Sequence, residues 1–174
     1  ALGKAFGTFG AFVAGSNALI ETLIQFARPY IYTTALPPAI AAATSTSLTL
    51  LSKESWRRDN LQQRIAQFRA GAKRLGLSMV DSTTPIQPVL LGDDALVLNV
   101  AAQLKQSYIL VGAIRPPTVP EGTSRLRITF SAAHSSQNVE QLLAALDEAI
   151  PLSARTRSSS ASVVDARCNA TSHD

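Results

Sequence analysis

The stretch ILVGAIRPPTVPEGTSRLRITF, residues 109 to 130, decides the architecture of the chain's C-terminal half. Ile109 to Ile114 is an apolar run that reads as a strand, and Pro116, Pro117 and Pro120 withhold backbone donors and force a loop. From Arg125 to Phe130 the chain alternates Arg, Leu, Arg, Ile, Thr, Phe, the two-residue period of a half-buried strand. Ser135 or Ser136 then caps a helix over Asn138 to Ile150, in which Val139, Leu142, Leu143, Leu146 and Ile150 form one face.

Upstream, Met79 and Val80 suit a short strand and Ile86 to Leu91 a second. Gly92, Asp93 and Asp94 turn into a helix from Ala95 to about Gln106. The order after residue 76 is therefore strand, strand, helix, strand, strand, helix, an α/β lobe. Two helices lead into it. One starts at Pro37 and Pro38, which suit a first helical turn, and runs to about Leu51. The other spans Ser55 to Arg74, with Trp56, Leu61, Ile65, Phe68 and Leu75 as its apolar stripe and Gly76 as its C-terminal cap. Among residues 1 to 38, glycines at 3, 7, 10 and 15 indicate a loop followed by a short buried strand through Gly10 to Ala14. Ser16 caps a helix over Asn17 to Ala27, and Tyr30 to Ala35 read as an extended or turn segment. After Pro151 the composition shifts to Ser, Ala, Arg and Thr without an apolar period, so residues 151–174 read as a disordered tail.

The 174 residues, 46% apolar and 16% charged, suffice for a globular domain with a core. Cys168 is the single cysteine, which leaves no disulfide framework and no Cys/His metal pattern and fits a reducing, cytoplasmic setting. The net charge is +4. Lys53, Arg57, Arg58, Arg64, Arg69, Lys73 and Arg74 fall in a helical segment and read as a solvated face; no aromatic residues are interleaved to stack on bases, which argues against nucleic acid. The 16 uncharged residues between Lys4 and Glu21 are interrupted by Gly7, Thr8, Gly10 and Gly15 and are too few for a membrane span. The chain opens on Ala1 rather than Met, which reads as a piece of something longer.

Lys4 lies between Gly3 and Gly7, and a lysine among glycines is a candidate covalent anchor for a cofactor aldehyde, because the missing side chains let backbone and ligand approach closely. A glycine-rich turn carrying a solvated lysine is the alternative. Arg127 lies on the alternating strand of residues 125 to 130. Arg125 reads as a surface charge on the opposite strand face, and His134 as a residue that caps or packs after the strand.

Five segments in order, Gly3 to Gly7, Gln25 to Pro38, Ala113 to Pro120, Arg125 to Thr129 and Ala132 to His134, together resemble the C-terminal part of the α-oxoamine synthases, in particular the 8-amino-7-oxononanoate synthase branch. The resemblance covers residues 1 to 150. It implies the end of a large PLP-binding domain (residues 1–38), connecting helices with a small C-terminal α/β domain (39–150) and the aspartate-aminotransferase fold. It also implies a homodimeric acyltransferase of biotin biosynthesis that uses pyridoxal 5'-phosphate (PLP) to condense L-alanine with pimeloyl-CoA or a pimeloyl-carrier protein, with loss of carbon dioxide.

By the same resemblance, Lys4 matches the Schiff-base lysine, and Thr33 and Thr34 match hydroxyls that reach a cofactor phosphate in the neighbouring subunit. A turn or capping role is an equal alternative for either threonine. Arg127 corresponds to the clamp on the amino-acid carboxylate. Arg115 corresponds to a group for a substrate carboxylate or for the distal acid of the acyl chain, and Thr118 in the proline-rich element joins them as substrate-binding. Ala1 departs from the family's usual Thr. The family's ring-stacking histidine, its aspartate for the pyridinium nitrogen and a nearby histidine precede the lysine, so the chain taken alone is expected to be inactive. Two other readings are a non-catalytic α/β lobe and a different α-oxoamine synthase, such as glycine C-acetyltransferase or serine palmitoyltransferase.

Overall fold

The computed structural model describes residues 1 to 155, which form two compact units, Ala1–Trp56 and Arg57 onward. The units part after Trp56 rather than at residue 38, where the sequence reading placed a boundary. Residues 156 to 174, most of the expected disordered tail, lie outside the described residues. Residues 152 to 155 do not continue that tail. They form a short helix, Leu152–Arg155, and the Arg155 guanidinium pairs with the Asp147 carboxylate and donates to the Ile150 carbonyl oxygen.

The first unit contains α1 (Asn17–Phe26), α2 (Arg28–Ile31) and α3 (Pro38–Lys53). Ser16 caps α1 as its side chain implies, its hydroxyl accepting from the Leu19 amide at 3.3 Å. The expected strand through Gly10 to Ala14 is absent. Residues 11 to 14 are exposed coil, because a strand needs a neighbour to satisfy its ladder and none of the described residues pairs with them. Part of the segment read as extended or turn, Tyr30 and Ile31, instead closes the short α2. Leu2 is the single buried apolar residue described in this unit, while Phe9, Phe12, Phe26, Tyr30 and Tyr32 are each two-thirds exposed or more.

The second unit is built on a three-stranded antiparallel sheet in the order β1-β3-β2, with β1 at Ile86–Gly92, β2 at Gly112–Ile114 and β3 at Ser124–Thr129. Register pairs Val89 and Ala113 with Leu126, and Pro88 and Gly112 with Arg127. Along β3 the even positions Ser124, Leu126 and Ile128 are buried, as strand alternation requires, and the odd positions face away. The core joins Leu126, Ile128 and Val89 to α4 (Trp56–Arg74), α5 (Asp94–Gln106) and α6 (Ser136–Ala149) through Phe68, Val97, Val100, Leu104, Val139 and Leu146. Phe68 and Phe130 meet at 5.1 Å between ring centroids, a tilted contact. The caps are local and follow the sequence: Asp93 accepts from Leu96 at 2.7 Å, Ser135 and Asn138 form a reciprocal capping box, and Gly76 takes φ +68° after α4.

Three expectations change here. The Met79–Val80 strand is a single bridge from Met79 to Val89. The strand expected from Ile109 begins only at Gly112, because the end of α5 draws in Ile109, whose amide donates to Leu104 at 2.9 Å. Arg69 is not part of a solvated face. Its Nη1 donates to the carbonyl oxygens of Val80 and Ser82 and to Oε1 of the fully buried Gln87, at 3.3, 3.2 and 3.0 Å, and its Nη2 pairs with Asp81.

Two stability predictions follow from these contacts. Arg69→Met removes the donor shared by three acceptors and is expected to lower stability by about 2 kcal/mol in urea unfolding, with Arg69→Lys losing less. Tyr108 occupies the left-handed position after α5 at φ 59° with 99% of its surface exposed, so its ring packs on nothing. Tyr108→Gly relieves that backbone and should raise the unfolding free energy by roughly 1 kcal/mol, read as an increase in the urea midpoint.

Candidate active site

Lys4 sits in a closed turn made by its own short neighbours. Leu2 donates to the Gly10 carbonyl at 2.8 Å, Thr8 returns a bond to Leu2 at 3.2 Å, and Gly7 donates to the Lys4 carbonyl at 2.9 Å. Gly7 and Gly10 take φ +62° and +97°, conformations that a side chain would strain. At Gly10 a Cβ would also come within 3.1 Å of Leu36 Cδ1, which places the segment just after Thr34 beside the end of this turn. Two side chains on α3 fix the turn from below: Ser47 Oγ donates to the Phe6 carbonyl at 2.9 Å and Thr44 Oγ1 lies 3.1 Å from Thr8 Oγ1. The backbone is thus held on both sides. The Lys4 ammonium projects into solvent with no hydrogen bond or ion pair among the described residues.

Thr33 and Thr34 lie in the link between α2 and α3, and both are exposed. The Thr33 hydroxyl donates to the Pro29 carbonyl oxygen, so it also serves the turn. Among the described residues Thr34 makes no such bond, which leaves its hydroxyl available there. Near them, Arg28 lies 5.9 Å from the centroid of the Tyr32 ring. An apolar groove of about 510 Å³ runs between the coil at Ala11 to Val13 and the α1 face of Ile20, Leu23 and Ile24.

Arg115, Thr118 and Arg127 belong to the second unit. Arg115 and Thr118 bracket Pro116–Pro117, whose peptide bond is cis, and the Thr118 amide donates to the Arg115 carbonyl at 3.1 Å. Both side chains are exposed. The loop they occupy is tied at its exit, where Thr123 Oγ1 donates to Pro120 at 2.7 Å and the buried Ser124 hydroxyl donates to the Asp94 carboxylate at the start of α5. Sequence reasoning missed this Asp94–Ser124 contact. Its signal was the double acid Asp93-Asp94, of which only the first is needed as a helix cap.

Arg127 is exposed on the face of the sheet turned away from the helices. Arg125 was expected on the opposite face; it is on the same one. Residues two apart on a strand share a side, and both flank the buried Leu126. His134 takes the packing and capping role read for it: its ring meets Phe130 edge-on at 6.0 Å and Nδ1 accepts from the Ser131 amide at 3.1 Å. Among the described residues no group of three or more His, Cys, Asp or Glu could hold a metal ion, and no helix is long and apolar enough to cross a membrane.

Over residues 1–146 the chain, which carries this lysine turn and the α/β lobe, matches the family model aminotransferase class I and II. The chain belongs to this family. Within it, the chain is 65% identical over 150 residues to the 8-amino-7-oxononanoate synthase of Ectopseudomonas mendocina, covering 86% of this chain and 39% of that relative. A crystal structure of 8-amino-7-oxononanoate synthase from Francisella tularensis superposes with a TM-score of 0.76 at 35% identity, over 84% of this chain and 43% of that one. A structure of SPT with PLP internal aldimine superposes with a TM-score of 0.79 at 28% identity, over 85% and 38%. The expected fold, the α/β end of a PLP-dependent fold type I enzyme, is thereby shown.

Ser47→Ala with Thr44→Val removes both side-chain ties to the lysine turn. The expected outcome is faster amide exchange at Leu2, Gly7 and Thr8, by about tenfold for a loss near 1.4 kcal/mol, with the amides of β3 unchanged.

Proposed function

We propose that this chain is the C-terminal part of a PLP-dependent acyltransferase that condenses L-alanine with a pimeloyl thioester, on CoA or a carrier protein, releasing carbon dioxide and 8-amino-7-oxononanoate for biotin synthesis. The observation that carries this reading is the Lys4 turn: a rigid backbone presenting an unpartnered amine, in a chain 65% identical to a synthase of that name. The residues present fit PLP by their chemistry. Lys4 supplies a primary amine for the aldehyde, Gly3 and Gly7 leave room beside it, and the free Thr34 hydroxyl, with Thr33, supplies uncharged donors for a phosphate.

When bound, PLP would supply an electron sink for the carbanion formed at the amino-acid α-carbon. The chain's own residues provide position and protons. Lys4 would hold the cofactor and afterwards move a proton at the alanine α-carbon. Arg127 would clamp the amino-acid carboxylate, with Arg115 and Thr118 holding a substrate carboxylate or the acyl chain's distal acid. The homodimer of the family would bring Thr33 and Thr34 to the partner's cofactor.

We further propose that the chain by itself does not turn over. It spans 39% of the length of that relative, and its first unit leaves Phe12, Phe26 and Tyr30 at least 67% exposed. That exposure also favours a second reading, a non-catalytic lobe awaiting a covering partner. Light scattering separates the two: a clean dimer supports a catalytic module, and aggregation supports the orphan lobe.

Adding PLP to the chain, with the upstream portion of a relative supplied in trans, should produce an absorbance band near the visible edge that Lys4→Ala abolishes. If no lysine-dependent band forms, the cofactor reading fails.

A further inference from the structure

The helix-free face of the sheet carries an unusual pair of charges. Arg125 and Arg127 emerge from the same side of β3, two residues and so about 6.8 Å apart. Their cross-strand neighbours are Leu90 and Ile114 for Arg125, and Pro88 and Gly112 for Arg127. None of these can accept a hydrogen bond or offset a charge through its side chain. Described ion pairs in this unit join Arg69 to Asp81 and Arg155 to Asp147, and neither involves this face.

Like charges two residues apart on one strand repel only weakly where water screens them, and the aliphatic cross-strand neighbours supply no counter-charge. The two guanidinium groups are nonetheless differently prepared. Arg125 is half-buried, and its Nε–H donates to the Thr123 carbonyl at 2.9 Å, which fixes the stem and leaves the terminal N–H groups uncommitted. Arg127 is exposed and has no hydrogen-bond partner among the described residues. Opposite it, Gly112 contributes no side chain to the surface. The result is one anchored fork beside one free fork, over an apolar floor with a gap.

We propose that Arg125 and Arg127 together bind a single carboxylate group of the substrate, with Arg125 as a second, pre-positioned arm. The assignment rests on the reading of Arg127 as a carboxylate clamp and extends it to a residue with no role so far. A carboxylate has two oxygens and about four acceptor positions, enough for both forks. Its negative charge would offset two cations that share one face and have no acidic residue as a cross-strand neighbour. Phosphate shares this chemistry. The planar forks and the small, apolar floor favour the flat carboxylate.

The test is a titration of the full chain, without cofactor, followed by the arginine Nε–Hε NMR signals. L-alanine, pimelate and inorganic phosphate are the three probes, and chloride at equal ionic strength is the control. Both the Arg125 and the Arg127 signals should move with one shared saturation curve for a carboxylate probe. Preference for L-alanine identifies the amino-acid carboxylate, and preference for pimelate the acyl chain's distal acid. Arg125→Gln should weaken binding by roughly tenfold, one charge-assisted contact in free-energy terms. Arg125→Lys should recover only part of it, because lysine lacks the planar fork. Unchanged amide signals at Leu126 and Ile128 confirm that each variant keeps its strand.

The proposal is overturned if Arg127 alone responds, if Arg125→Gln binds as the parent does, if phosphate binds more tightly than both carboxylates, or if chloride produces the same shifts. No cofactor is involved, so failure here leaves the Lys4 absorbance test standing, and failure of that test leaves the arginine pair to be judged on its own.

Discussion

The side-chain parity of β3 is the constraint on which the second unit depends. As the central strand it is hydrogen-bonded on both edges, so its register cannot slip without breaking two ladders at once. Leu126 and Ile128 are locked toward the helices by burial, at 0% and 3% exposure, and with them Ser124. Every odd residue is then committed to the other face. The positions of Arg125 and Arg127 are consequences of hydrophobic burial, and the chemistry of that face comes without added cost to the core.

The same burial also reaches the loop before β3. Ser124 is inside because it shares the side of Leu126, and a buried hydroxyl needs a partner. Asp94, at the first turn of α5, supplies it, where a carboxylate is also favoured by the helix's positive end. This contact anchors the end of the loop carrying Arg115 and Thr118 to the helical layer. Core packing, a helix terminus and the placement of two candidate binding residues are therefore one connected arrangement. The first unit works differently. It has almost no buried apolar side chain of its own, and its lysine turn is held by backbone bonds and by Ser47 and Thr44 instead of by a core.

What was legible in the sequence was what local chemistry decides. Ser16 and Ser135 cap helices because a short side-chain oxygen can reach an amide two or three residues on. Gly76 ends α4 because glycine adopts the required positive φ without steric cost. The apolar face of α6 and the alternation of β3 came through for the same reason, whereas on α4 Ile65 and Phe68 are buried and Trp56, read as part of that stripe, is exposed. Features that depend on a distant partner did not. The expected strand at Gly10 to Ala14 has the right composition and no neighbour among the described residues to pair with, and Arg69 looked like one charge in a basic run until the Val80–Gln87 segment folded over it. The error at Arg125 is of another kind, since a strict two-residue period already required it to share a side with Arg127.

That shared side changes how the charge of the lobe is to be understood. A basic residue on a solvated helix face can turn toward water or a neighbouring acid, and its charge says little about function. Arg125 has less freedom: its stem is half-buried, its Nε is bonded to the strand's own entry, and its flanking residues are aliphatic. Preorganised donors of this kind lose little entropy on meeting a ligand, which is how a binding group gains affinity without gaining contacts. Arg127 keeps its full side-chain freedom and would lose more of it on binding. A site built from one anchored and one unbonded guanidinium would therefore divide the work, the anchored group setting the direction of the anion and the other closing on it.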